Sequence, residues 1–328
     1  MKRRIQVTLP AGHPSLSVID LLAGRFTYQS REEWGGIVEE QRVKVNDVAV
    51  GADRILMAGD RLEFIADDIP EPPVCFDIGI IHEDYDLMVI NKPPNLPAHP
   101  AGRYFNNTLW AWLKTHRCIE APMLVNRLDR ETSGLMLVAK TQSAEVHCRA
   151  QFAQRRVVKR YVVLVEGEFP ETFQARGWLV PDPESGVFKK RRFVASEEGS
   201  EVGVQDSGKK QAPDSEWAET DFRRITVVNG ISQVEALLHT GRLHQIRATL
   251  CSLGFPVVGD KVYGPDPMMF VRFCTDALTP DDRLRLRLDR QALHAMELEF
   301  QHPSTGAMMH FEAPFPADMA ALVNQPAN

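Results

Sequence analysis

Residues 126–134 read Asn126-Arg127-Leu128-Asp129-Arg130-Glu131-Thr132-Ser133-Gly134, and an apolar run, Leu135-Met136-Leu137-Val138-Ala139, follows at once. The run has the length and composition of a buried strand. The nine residues before it set one carboxylate, Asp129, between two arginines and ahead of a Thr-Ser-Gly turn. A charge-dense loop that feeds a buried strand is a rigid support for a reactive side chain. A surface Arg–Asp pair would account for such a string in isolation, but further patterned segments accompany this one.

Lys159-Arg160-Tyr161 opens an alternating stretch, Tyr161 to Val165, that reads as a strand ending at Gly167. Farther on come Gly241-Arg242-Leu243-His244-Gln245-Ile246-Arg247 and Gly254-Phe255-Pro256-Val257-Val258-Gly259-Asp260. Upstream, Ile81 to Pro94 reads as a strand leading into an Asn91-Lys92-Pro93 turn; near the end, Leu293-His294-Ala295 leads to His302-Pro303. In this order the segments resemble the RluA-type RNA pseudouridine synthases, whose motif is His-Arg-Leu-Asp-x-x-Thr-Ser-Gly. The resemblance covers residues 76–316. It implies an α+β pseudouridine synthase fold: a mixed, mostly antiparallel sheet with flanking helices and a central RNA-binding cleft.

The reaction so implied breaks the N1–C1′ bond of a uridine, turns the uracil and joins C5 to C1′. It requires an ionised carboxylate at the sugar, a counter-charge, a flat wall for the uracil and a site closed to water. The resemblance gives Asp129 the first role, with addition at C1′, addition at C6 and proton abstraction at C2′ all open to it. It makes Arg247 the ion-pair partner, without which burial would drive Asp129 towards its neutral form. Tyr161 supplies a π-face and Leu293 an apolar wall. A paired base must leave its stem to reach such a pocket, and the resemblance has Arg127 fill the vacated space, a role suited to a planar guanidinium. One position departs from the motif: Asn126 stands where the family has His, keeping a donor and an acceptor but no charge. His244 and Gln245 are expected to brace Arg247. The alternative is an RNA-binding or ribosome-assembly factor that keeps the scaffold without chemistry.

The whole chain has 328 residues, 44% hydrophobic and 25% charged, as in globular proteins, and its length suggests two domains. No long uncharged apolar run suggests a membrane span, and the start lacks the apolar segment of a secretory signal. Five scattered cysteines without a CxxC pair point to reduced thiols and a cytoplasmic location. His239, His244, His294, His302 and His310 lack ligand spacing, so no metal is expected, and no cofactor either. The net charge of −6 sits oddly with an RNA partner, ribosomal or transfer. Arg155, Arg156, Lys159, Arg160 and Arg242 are the candidate RNA contacts, with a second basic cluster at Lys189, Lys190, Arg191 and Arg192. The acidic residues are expected mostly on the far side.

Residues 1–68 read as a separate module. Apolar residues at helical spacing run from Leu16 to Phe26, and Ser30 caps a second helix that carries Trp34, Ile37 and Val38. Strands are expected at 41–47 and from Ala58 to Phe64, each with a turn. This pattern resembles the small α/β RNA-binding fold of the ribosomal-protein-S-four type, although Ser17-Val18-Ile19-Asp20 lacks its usual basic residue. Residues 69–75 form a proline-rich linker, residues 76–320 the catalytic domain, and 182–216 a polar, flexible insertion within it. A monomer is expected.

Overall fold

The computed structural model describes residues 4–12, 15–26, 28–65, 70–185, 187, 190–196, 214–266 and 268–324. Contacts divide the chain into two units, residues 1–74 with 99–118 and residues 75–98 with 119–328. The sequence division at residues 75 and 76 differs from this over 99–118. The reason is local: the Glu71 carboxylate accepts from the backbone N–H groups of Phe105, Asn106 and Asn107 at 2.7–2.8 Å, which ties that stretch to the proline-rich segment.

The first unit holds β1 (Arg4–Thr8), α1 (Val18–Arg25), α2 (Arg31–Glu39), β2 (Val43–Val45), β3 (Val48–Ala49), β4 (Arg61–Ile65) and α3 (Leu109–His116), with sheet order β1-β4-β2-β3. Ser17 caps α1, and Ser30 with Glu33 forms a reciprocal capping box on α2. Trp34 is fully buried, donates to the Phe26 carbonyl at 3.0 Å and packs edge-on against Phe64. Strand β1 is not among the sequence expectations. Its Ile5 and Val7 alternate with polar residues, too short a signal until β4 pairs with it along all five residues.

In the second unit, β5 (Gly79–Glu83), β6 (Leu87–Lys92), β7 (Met123–Leu124), β8 (Ser133–Ala139), β9 (Val158–Glu166), β10 (Thr172–Pro181), β11 (Arg191–Ala195), β12 (Glu216–Val228), β13 (Ile231–Leu238), β14 (Leu293–Gln301) and β15 (Met308–Glu312) form one sheet. Its order is β11-β10-β12-β13-β9-β14-β8-β6-β5, with β15 on β14 and β7 on β8. Among the described residues every pairing in it is antiparallel except β8 with β14. Helices α4 (Gln142–Ala153), α5 (Gln245–Ser252), α6 (Met268–Cys274), α7 (Pro280–Leu286) and α8 (Ala317–Val323) complete the unit.

Strand β8 is buried at all seven positions. Such a strand carries no alternation and must be apolar on both faces, hence the Leu-Met-Leu-Val-Ala run. Gly134 sits where β8 meets β14 and has φ +112°; a Cβ there would lie 2.2 Å from the Ala295 carbonyl oxygen. The motif glycine is therefore the residue that lets the two parallel strands close behind Asp129.

The expected polar insertion over 182–216 is partly ordered into the sheet. Residues Arg191–Ala195 form the edge strand β11, in register with Gly177–Pro181 of β10. Phe193 is buried and its N–H donates to Ser252 Oγ at 2.9 Å. One inward apolar side chain among basic neighbours is too little pattern to announce a strand; the pairing with β10 creates it. The remainder of the insertion, 197–213, lies outside the described residues, as does Lys189.

Candidate active site

Asp129 precedes β8, and residues 129–132 form a turn in which Thr132 N–H donates to the Asp129 carbonyl at 3.2 Å. Each side of this turn is held. Buried Lys92, at the end of β6, donates to the carbonyls of Pro93, Leu96 and Arg130 at 2.8, 3.0 and 3.2 Å. Lys261 grips the Glu131 carboxylate at 3.0 and 3.1 Å. Asn126 Oδ1 accepts from Leu137 N–H at 2.8 Å, so the residue that replaces the motif histidine anchors the approach to the turn with its neutral amide.

Arg247, on α5, reaches across to this turn. Its Nη1 lies 2.7 Å from Asp129 Oδ2, while Nε and Nη2 form a bidentate pair with Asp260 at 2.6 and 2.8 Å. The guanidinium carbon lies 5.0 Å from the centre of the Tyr263 ring. Side-chain exposure falls from 30% at Asp129 to 7% at Arg247 and 0% at Asp260. One cation thus joins a fully buried carboxylate to one that still meets solvent. Asp260 takes two of the guanidinium's donors, so Arg247 is fixed and keeps a third aimed at Asp129.

Burial pushes the Asp129 carboxyl up, but Arg247 foremost, then His244, outweigh it and hold the group below the usual aspartate range. Burial likewise raises Asp260, and Arg247 overcomes it. For Arg247 burial acts downwards and the two aspartates drive the net shift upwards. Tyr161, on β9, is 9% exposed; burial and then the charge of Asp129 push its phenol well above the ordinary value, so it stays protonated. Burial and then Arg247 press the His244 imidazole down to about 4. Burial brings Lys92 down to about 7 against the pull of Asp129.

Leu293 is buried at the start of β14 opposite Val163, two residues from Tyr161 on β9. Arg127 is exposed and makes no hydrogen bond or ion pair with another described residue. The structure thus brings Asp129 together with Arg247, sets Tyr161 within range of the carboxylate's charge, and leaves Arg127 in solvent. His244 does not brace Arg247 by a hydrogen bond; its Nδ1 lies 3.0 Å from the Tyr263 hydroxyl. Gln245 ties Thr240 and Arg242 to Glu219 and Thr220 on β12. Sequence reading missed Asp260 and Gln291 as partners of this site. Asp260 stands in the quoted Gly-Asp string, and Gln291 has no local pattern at all.

The basic candidates are mostly engaged. Arg160 pairs with Glu297 at 3.0 Å and Glu235 at 3.7 Å, Arg155 with Glu219 at 3.5 Å, and Arg242 with Glu216 at 3.6 Å. Arg156 Nε donates to Gln154 at 2.8 Å. Lys159 lies 3.5 Å from the Thr240 carbonyl, and burial with Arg155 and Arg242 lowers it to about 8. Carboxylates therefore interleave with these arginines, against the expectation that the acidic residues lie on the far side. Pairing across adjacent strands, such as Arg160 on β9 with Glu297 on β14, explains this. His310, one of the histidines without ligand spacing in the sequence, has carboxylates beside it in the fold: β14 and β15 set it beside Glu297 and Glu299, their ligand atoms within 4.8 Å of one another. Arg160 already occupies Glu297 in that group.

A family model described as RNA pseudouridylate synthase matches residues 86–252. The chain belongs to the RluA-type RNA pseudouridine synthases. The synthase is 32% identical over 97% of its length to "Ribosomal large subunit pseudouridine synthase D" of Nitrosomonas europaea, covering 87% of that protein. It is equally similar, at 32% identity over 97% of its length and 96% of the relative, to the protein of the same name from Zymomonas mobilis. In fold it resembles the human RNA pseudouridylate synthase domain containing 4, with TM-score 0.55 and 24% identity over 76% of this chain and 95% of that one. The synthase is an isomerase that converts uridine to pseudouridine in RNA.

Proposed function

We propose that the synthase acts on structured ribosomal RNA of the large subunit, with Asp129 as its reactive carboxylate. The observation that carries this reading is the Arg247–Asp129 contact at 2.7 Å, in which the carboxylate stays 30% exposed while its counter-charge is buried. A group so held is ionised, oriented and open to a nucleotide from one side. Tyr161 then serves as the flat wall for the detached uracil and, being protonated, as a hydrogen-bond donor. Leu293 closes the apolar side. Arg127, extended into solvent, fills the gap left by the everted base. The scattered Arg155, Arg156, Lys159, Arg160 and Arg242 meet phosphates. The first unit adds a second RNA contact of the ribosomal-protein-S-four type, and the protein works as a monomer in the cytoplasm, where its RNA is. The large-subunit assignment follows the printed names of the relatives from Nitrosomonas europaea and Zymomonas mobilis.

The test is a pseudouridine map of total RNA from cells with and without the protein. Loss of defined sites in large-subunit ribosomal RNA is expected. Loss confined to transfer RNA would overturn the substrate class.

A further inference from the structure

Gln291 is 2% exposed and belongs to the segment that leads into β14. Its side-chain Nε2 donates both to Thr132 Oγ1 and, at 3.4 Å, to Asp129 Oδ2. Its backbone is fixed as well. Gln291 N–H donates to Glu131 at 3.3 Å, and its carbonyl accepts from Arg290, whose guanidinium forms a bidentate pair with Asp318 of α8 at 2.6 and 2.8 Å. The amide is therefore held from both ends of the residue, one hydrogen on the turn hydroxyl and the other on the carboxylate.

Arg247 donates to the same oxygen, Oδ2. Among the described residues, none donates to Oδ1. The final torsion of an aspartate is broad and nearly two-fold, so one donor alone leaves its oxygen, and with it the carboxylate plane, a wide range of settings. A second donor from another direction narrows that range. Rotation of the carboxylate away from this setting would break both contacts at once, whereas a half-turn only exchanges two equivalent oxygens.

We propose that Gln291 is a positioning residue that joins Arg247 in occupying Oδ2 of Asp129 and thereby presents Oδ1 to the nucleotide. The inference rests on the reading of Asp129 as the reactive group. An amide suits the task because it is neutral and has two hydrogens. A carboxylate at this position would set a like charge against Asp129.

The test uses the full chain and tritium release from RNA labelled at C5 of uridine. Gln291→Met keeps the length of the side chain and removes the amide. The maximal rate should fall roughly ten- to a hundredfold, as expected for losing a hydrogen bond to a charged group. KM for RNA should stay within about twofold, since phosphate contacts dominate binding. The acid limb of the rate profile should move to higher pH, because the charged form of Asp129 has lost a donor. Gln291→Glu should move it further. Wild-type rates and an unmoved limb in both variants would overturn the proposal, and so would a slower rate with an unmoved limb and a lowered Tm. Asp129→Asn is measured in parallel. Turnover in that variant would remove the underlying reading of Asp129; its silence beside normal Gln291 variants would remove only the role of Gln291.

Discussion

Arg247 and Arg160 carry the same guanidinium in opposite settings. Arg247 keeps 7% of its side chain exposed and links two carboxylates, one of them wholly buried; Arg160 keeps 35% exposed beside Glu297 and Glu235. A buried charge without its partner is costly, whereas an exposed pair is worth little either way. The proposed site is therefore built from charges that hold one another in a buried setting. The surface residues Arg155, Arg160 and Arg242 are lightly held by glutamates, and in the proposed reading they exchange these for phosphates. In that reading the exchange reconciles a net charge of −6 with an RNA substrate.

The largest expected effect that would test this contrast is at Asp129. Asp129→Ala should eliminate tritium release while RNA affinity stays within about threefold, since affinity lies in phosphate contacts; retained turnover would break the assignment. Next is Arg247→Ala, which leaves Asp260 buried and uncompensated. It should cost about 3–5 kcal/mol in urea unfolding, far more than any surface arginine, and a loss under about 1 kcal/mol would place the pair with the exposed ones.

Acid should then separate the two regions. His244 and His294 are both pressed down to about 4, chiefly by burial and then by neighbouring arginines, from an unfolded value of 6.5. Between those values the unfolded chain binds more protons than the folded one, so stability should rise with pH through the window and fall as pH drops from 6.5 towards 4. Asp129 and Asp260 titrate below 3.8 and so add a further loss only below that pH. Urea midpoints that are flat from pH 7 to 4 would contradict this burial of neutral imidazoles. Smallest is Arg155→Ala: stability within about 1 kcal/mol of wild type, with the slope of log affinity against log salt reduced by about one. An unchanged slope would remove Arg155 from the RNA-facing set.

Much of the site was legible in the chain. Asp129, Tyr161 and Arg247 stand in motifs whose residue types and order survive any local misreading, and the run 135–139 announced a buried strand that the fold delivers as β8. The cap at Ser30 was equally legible, because a cap joins residues three positions apart. Strands β1 and β11 were not, since each is short and takes its form from a partner strand. The position of the acidic residues was misjudged because composition counts charges without saying which strands lie side by side.

By itself the sequence determined the chemical parts and the rigid supports beneath them, because backbone preference and apolar patterning act over a few residues. Only tertiary structure decided which parts touch. Arg247 meets Asp129 across 118 residues, and Gln291 meets the same oxygen across 162. No periodicity or propensity spans such distances. The sheet must first bring β8, β14 and α5 together, and burial then decides that each charge among them is matched.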